Sequence, residues 1–175
     1  MTKINPHEQH FVLHWGEMGT RWGINRTVAQ VHALLYLAPT PVNAEHIADT
    51  LQVARSNVST SLKELQGWGL IRLVHIMDDK RDHFEAITDV WEMFRIIADE
   101  RKRREIDPTR VILRQCLSAP AKELDAQTRA RLQAMSDFFD TTSDWYAQIS
   151  KWPRTALVRF VGLGDRVLKL LGLSG

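Results

Sequence analysis

Apolar residues recur at helical spacing along most of this chain, and the spacing breaks once. In "HEQHFVLHWGEMGTRWG", Phe11, Trp15, Met18 and Trp22 fall at i, i+4, i+7 and i+11, one stripe of a helix. Gly23 can end that helix and Asn25 can cap the next, where Val28, Val31, Leu34 and Leu35 share a face until "PTPV" stops it. Asn43 caps a third helix with Ile47, Ala48 and Leu51 inward, and "QVA" is a short turn. A fourth helix is expected from about Ala54 to Trp68, ended by Gly69. There the period changes. "LIRLVHI" and "HFEAI" read as short strands around the charged loop "MDDKRD", a β-hairpin without a turn-dictating Asn-Gly or Asp-Gly.

Helical spacing returns in "TDVWEMFRIIADERKRREI", with Val90, Trp91, Phe94, Ile97 and Ala98 expected inward. Asp107-Pro108 predicts a break and a new start, with Asp at the cap and Pro in the first turn. Pro120 marks another start, and "DAQTRARLQAMSDFFDTTSDWYAQIS" predicts a long helix carrying Leu132, Met135, Phe138, Phe139, Trp145 and Tyr146. Trp152-Pro153 breaks again before an amphipathic last helix weakened by Gly162 and Gly164. The fold class expected is mainly α with a small β-hairpin wing: a winged helix-turn-helix plus dimerisation helices. Residues 1–25 are expected to form an N-terminal dimerisation helix, 26–88 the DNA-binding domain, and 89–175 a helical linker and C-terminal dimerisation region.

The fourth helix has the informative face. With Val58 at zero and about 100° per residue, Ser61, Leu62, Leu65 and Gly69 lie within roughly 60° of it and form the packed side. Ser56, Thr60 and Lys63 point the opposite way, with Asn57 and Ser59 on the borders. Small polar side chains approach base edges closely, and Asn can pair with N6 and N7 of adenine. The candidate DNA-binding residues are Arg55, Ser56, Asn57, Ser59, Thr60 and Lys63 on this helix, with Lys80 and Arg81 on the hairpin. An Arg at a hairpin tip suits the electronegative minor groove of A·T-rich DNA, and one of Asp78, Asp79 and Asp82 is expected to hold Arg81 or the loop backbone.

"HIADTLQVARSNVSTSLKELQGWGLI" and "DDKRDHFEA" carry a resemblance: residues 26–105 resemble the MarR superfamily of winged-helix regulators, nearest its GbsR-like branch, whose members are associated with betaine and choline metabolism. The resemblance implies a homodimer with interlocking terminal helices, a recognition helix in the major groove and a wing at the minor groove. One departure is Ala54, where many such proteins have Ser or Thr; a lost cap costs about 1 kcal/mol in an isolated helix, so packing must hold that turn.

Composition narrows the alternatives. A net charge of +2 leaves any basic surface to local clustering, and "ERKRRE" at 100–105 reads as a helix end beside its own acids more readily than as a phosphate patch. The single Cys116 excludes an internal disulfide framework and is expected to be a buried small hydrophobe. His7, His10, His14 and Glu17 line one helix edge, read as a polar border rather than a zinc site. No phosphate loop, nucleophile elbow or paired-carboxylate motif is present, so no enzyme and no cofactor is expected. With no secretory signal and no run of about 18 apolar residues, a cytoplasmic protein without a membrane span is expected.

The leading function is a homodimeric, sequence-specific transcriptional regulator, a repressor on a pseudo-palindromic operator. The alternatives are a winged helix used for protein contact alone and a peripheral membrane protein using its last helix, with Arg154, Arg159, Arg166 and Lys169. Six tryptophans add an effector hypothesis: Trp15, Trp22 and Trp91 as an aromatic site for a quaternary ammonium compound, against the plainer reading of that stripe as core.

Overall fold

The computed structural model describes residues 4–120 and 122–163. Gly164, Arg166 and Lys169, expected on the last helix, lie outside the described residues. The chain divides into two compact units, Met1–Ile97 and Ala98–Gly175.

The first unit is built around α2, Arg26–Leu37. Every residue from Val28 to Leu35 is buried, so this helix is surrounded rather than one-sided. The helix α1, Pro6–Arg21, lies against it, opened by a capping box in which Asn5 accepts from the amides of His7 and Glu8 and Glu8 accepts from the Asn5 amide. The face of α1 turned to α2 is Val12, Gly16 and Gly19 rather than the aromatic stripe, which forms its half-buried border and leaves Trp22 exposed. Close approach explains the shift. A Cβ on Gly19 would sit 2.5 Å from the Ala29 Cβ, and one on Gly16 2.6 Å from the Gln30 Cγ, so the two glycines let α1 sit closer than aromatics would.

Asn25 and Asn43 cap α2 and α3 (Ala44–Leu51), accepting from the amides of Thr27 and His46. The turn after α3 passes through Gln52 in the left-handed region, φ 54°, and α4 follows at Arg55–Trp68. Ala54 makes no side-chain cap at its start. Instead Ile47, Ala48, Val58, Ser61, Leu62 and Leu65 are buried between α2, α3 and α4, so packing holds the turn. Gly69, at φ 80°, ends α4 in the conformation that glycine adopts without strain.

The sheet has three antiparallel strands in the order β1-β3-β2. The strands β2 (Ile71–Ile76) and β3 (Asp79–Ala86) form the expected hairpin; β1, Val42–Asn43, pairs Val42 with Phe84 and was hidden in the "PTPV" stop. The expected loop "MDDKRD" is shorter than read: Ile76 pairs with Asp79, leaving Met77-Asp78 as the turn with Asp78 at φ 68°. Asp tolerates that left-handed position through its short polar side chain, which is how the hairpin closes without a glycine.

The helix α5, Val90–Arg101, places Met93 inward, while Val90 and Phe94 are 53% and 64% exposed, against expectation. Asp107-Pro108 is not a break. The chain runs on through a π-helical turn, Lys102–Ile106, into α6, Asp107–Leu117, and Asp107 makes no cap; its carboxylate takes Lys102 at 2.6 Å instead. Within "ERKRRE", Arg103 pairs with Glu100 at 2.6 Å and Arg101 with Glu105 at 3.4 Å, so the cations meet their own acids as read. Pro120 does not open the next helix; α7 runs Ala126–Ile149 behind the Asp125 cap on Thr128. Arg110 and Arg114 of α6 both reach Asp140 of α7, at 2.5 and 2.9 Å. Cys116 is exposed, not buried, because Leu113 takes the inward position of α6. The helix α8 spans Arg154–Gly162. The second unit leaves large apolar side chains uncovered: Met135 at 51%, Phe138 at 61% and Trp145 at 54% on α7. No helix among the described residues is long and apolar enough to cross a membrane.

Candidate nucleic-acid interface

The helix α4 divides as its wheel predicts, except that Gly69, expected on the packed side, lies beyond the helix at its C-cap and is exposed. Val58, Ser61, Leu62 and Leu65 are at most 3% exposed, while Arg55, Ser56, Asn57, Ser59, Thr60 and Lys63 are all exposed. Two hydroxyls are turned onto their own helix: Thr60 donates to the Ser56 carbonyl at 3.1 Å and Ser61 to the Asn57 carbonyl at 2.8 Å. With its proton committed, the Thr60 hydroxyl meets an outside partner as an acceptor. The outward face therefore offers the Asn57 amide, small hydroxyls and two cations.

The wing places its cations differently from the expected tip. Met77, 89% exposed, and Asp78 form the tip, while Lys80 and Arg81 stand just behind on β3. Asp79 is the acid that fixes Arg81. Its carboxylate accepts from the Arg81 amide at 3.0 Å, from Nε at 2.9 Å and from the outer guanidinium nitrogen at 2.5 Å. Those hydrogen bonds hold the Asp79 carboxyl well below the usual carboxylate range and raise Arg81 above its ordinary value. The buried His83 extends the row, with Nδ1 2.9 Å from the Arg81 carbonyl and Nε2 3.5 Å from Asp79.

One acid that the sequence reading passed over ties the two elements together. Glu45, in the first turn of α3, reaches Arg55 of α4 at 2.9 Å through one carboxylate oxygen and Arg81 of the wing at 3.6 Å through the other. Asp79, Arg81, Glu45 and Arg55 thus form a chain of alternating charge from wing to recognition helix. Nothing in the local sequence signals it: Glu45 reads as an ordinary first-turn acid favoured by the helix dipole.

The aromatic residues form a separate feature of the first unit. Phe11 stacks on Trp15 with ring centres 5.5 Å apart, and Trp22 meets Trp15 edge-on at 6.1 Å. Phe11, Trp15, His32, Ala33, Tyr36, Val90 and Met93 line a cavity of about 230 Å³. Trp22 borders a much smaller neighbouring space with Trp15 and His32, and Trp91 is half-buried and lines neither. His32 is 4% exposed, and its Nε2 has no hydrogen-bond partner. Burial lowers its pKa from 6.5 to about 4, so the ring is neutral at physiological pH. His32 and Tyr36 were missed because α2 reads as a plain apolar helix; a lone histidine inside such a run was the available signal.

A buried-core helix-turn-helix, an exposed polar face on α4 and an arginine-bearing hairpin define a winged-helix fold, an architecture that presents one helix and a wing to DNA in the proteins that use it so. Comparison points the same way: the MarR family model matches residues 22–82, from the end of α1 into the wing, which is less than half of the chain. A crystal structure described as a transcriptional regulator is 20% identical, with a TM-score of 0.65 over 83% of this chain and 96% of that one, which shows a shared fold. Weaker likenesses include a MarR family regulator from Neisseria meningitidis (16% identity, 85% of this chain and 100% of that one, TM-score 0.37). The MepR–DNA complex of S. aureus is similarly distant (18%, 78% and 91%, TM-score 0.38). These two carry no part of the assignment. No curated protein matches the chain.

Proposed function

We propose that the protein works as a homodimer on a pseudo-palindromic operator, with Asn57 and Thr60 of α4 reading base edges and Arg81 entering the adjacent minor groove. Arg55, Ser56, Ser59, Lys63 and Lys80 contact the backbone around them. The observation that carries this reading is the outward face of α4: six candidate residues, all exposed, with the apolar ones buried behind them. A single helix reads only a few base pairs, so two-fold pairing is needed to specify a site, with half-sites about 34 Å apart. The uncovered Met135, Phe138 and Trp145 of α7 supply apolar surface for a second copy, together with α1 and the helices after residue 89. Repression from that site, in the cytoplasm, is the regulatory mode we assign.

The same reading gives the protein a small-molecule effector, bound in the cavity lined by Phe11, Trp15 and Tyr36. Its size suits a ligand smaller than drug-like ones, whose pockets span about 300–1,000 Å³. Aromatic faces attract a quaternary ammonium group without requiring a hydrogen bond, and the likeness to the GbsR-like branch favours choline or betaine. Trp22 and Trp91 then act beside the site rather than in it.

The test is binding of matched and scrambled duplexes by the wild type and by Asn57→Ala and Arg81→Ala. Loss of discrimination at one position for Asn57→Ala, and a loss on A·T-rich flanks for Arg81→Ala, supports the reading. Equal losses on every sequence for Asn57→Ala removes it from base recognition.

A further inference from the structure

We propose that Glu45 is a positioning residue that stands in for a DNA phosphate: in the free protein its carboxylate occupies Arg55 and Arg81, and DNA must displace it to engage them. The inference rests on the reading of α4 and the wing as the DNA-facing surface and adds an acid that works against that surface.

Three features carry it. First, the two oxygens of Glu45 are divided between cations from two different elements, 2.9 Å to Arg55 and 3.6 Å to Arg81. A phosphate offers guanidinium groups the same kind of charged oxygen. Second, Arg81 does not need Glu45 to hold it in place. Asp79 already fixes it with two guanidinium nitrogens and the backbone amide. The Glu45 contact is longer than a hydrogen bond and acts through charge. Third, the side chains are open to solvent, 73% for Arg55, 57% for Arg81 and 47% for Glu45. Exposed pairs of this kind contribute little to folding and exchange readily. With two acids against two arginines, this four-residue chain is balanced in charge, and a phosphate gains Arg55 and Arg81 only in exchange for Glu45. A backbone-seeking contact is thereby restrained on every sequence, and Arg55 becomes available only when DNA is close enough to compete.

The experiment measures operator and scrambled-duplex affinity of the intact protein against salt concentration, for the wild type, Glu45→Gln, Arg55→Gln and the double variant, with thermal melts to confirm folding. Glu45→Gln is expected to tighten binding to both duplexes about two- to fivefold per protomer at low salt, the factor that an exposed ion pair is worth. The gain should shrink as salt rises and fall in the Arg55→Gln background to the smaller part that Arg81, the more distant partner, carries. Unchanged or weaker binding by Glu45→Gln, or a gain undiminished without Arg55, overturns the proposal. Wild-type protein that shows no salt-dependent DNA binding overturns the interface reading itself, and this inference with it.

Discussion

Replacing His32 with leucine should make the first unit less sensitive to acid. The imidazole is buried among Phe11, Trp15 and Tyr36, its Nε2 has no partner, and burial lowers its pKa from 6.5 to about 4. Above the unfolded value both states are neutral and stability does not depend on this group. Between the two values the unfolded chain binds a proton that the native protein refuses, so stability falls as pH falls through that window. Below the native value both states are charged and the dependence ends. The gap between 6.5 and about 4, at 1.36 kcal/mol per unit, corresponds to about 3 kcal/mol as an upper figure. Leucine is close in volume, and it removes a buried unpartnered nitrogen whose cost is roughly 1–3 kcal/mol. The variant should therefore match or exceed the wild type at neutral pH and pull further ahead on acidification. Urea titrations followed by tryptophan emission, stepped from about pH 7 to about pH 4, measure the difference directly. Wild-type and variant curves that run parallel across that range would refute a neutral, desolvated His32.

Thr60→Ala should relax base preference less than Asn57→Ala, which is expected to cost roughly 1–3 kcal/mol, because the Thr60 proton is already donated to the Ser56 carbonyl; competition binding on single-base variants of the site checks this. Asp79→Ala should weaken DNA binding while Lys80 and Arg81 remain in place, since it frees a guanidinium that three of its hydrogen bonds now aim; quantitative band shifts at fixed salt read the loss. Leu65→Ala, at a site 1% exposed, should cost about 2–5 kcal/mol of stability in denaturant titrations, and DNA binding should fall only as far as the folded fraction does. Choline at millimolar concentration should shift tryptophan emission, and Trp15→Ala should remove the shift; emission that choline leaves unaltered removes the cation from the cavity.

The parts of the fold legible in the sequence are those set by local chemistry. Asn25 and Asn43 cap the helices they precede, Gly69 ends α4, and the buried and exposed faces of α4 fall where a simple wheel puts them. What was misread depends on distant neighbours. The aromatic stripe of α1 lost the inward position to Gly16 and Gly19, because small residues let two helices approach and no local pattern announces which partner waits. Asp107-Pro108 looked like a stop, yet proline fits the first turn of a helix, and a π-helical turn carried the chain across without a break. β1 is two residues long and exists only through its pairing with β3. The candidate site divides in the same way. Its candidate residues on α4 stood out as types and spacings and are exposed, and Asp79 was anticipated among three acids as the partner of Arg81. Glu45 was not, because its partners lie on two elements that only the fold brings together.

The central claim is that α4 reads DNA sequence. Enrichment of bound duplexes from a random pool by the wild type and by Asn57→Ala tests it most directly. The expected result is a two-fold-symmetric consensus with half-sites about one helical turn apart, and a loss of preference at one position in each half for the variant. A pool that stays random for the wild type, or a consensus that survives Asn57→Ala, Thr60→Ala and Lys63→Ala together, would contradict it.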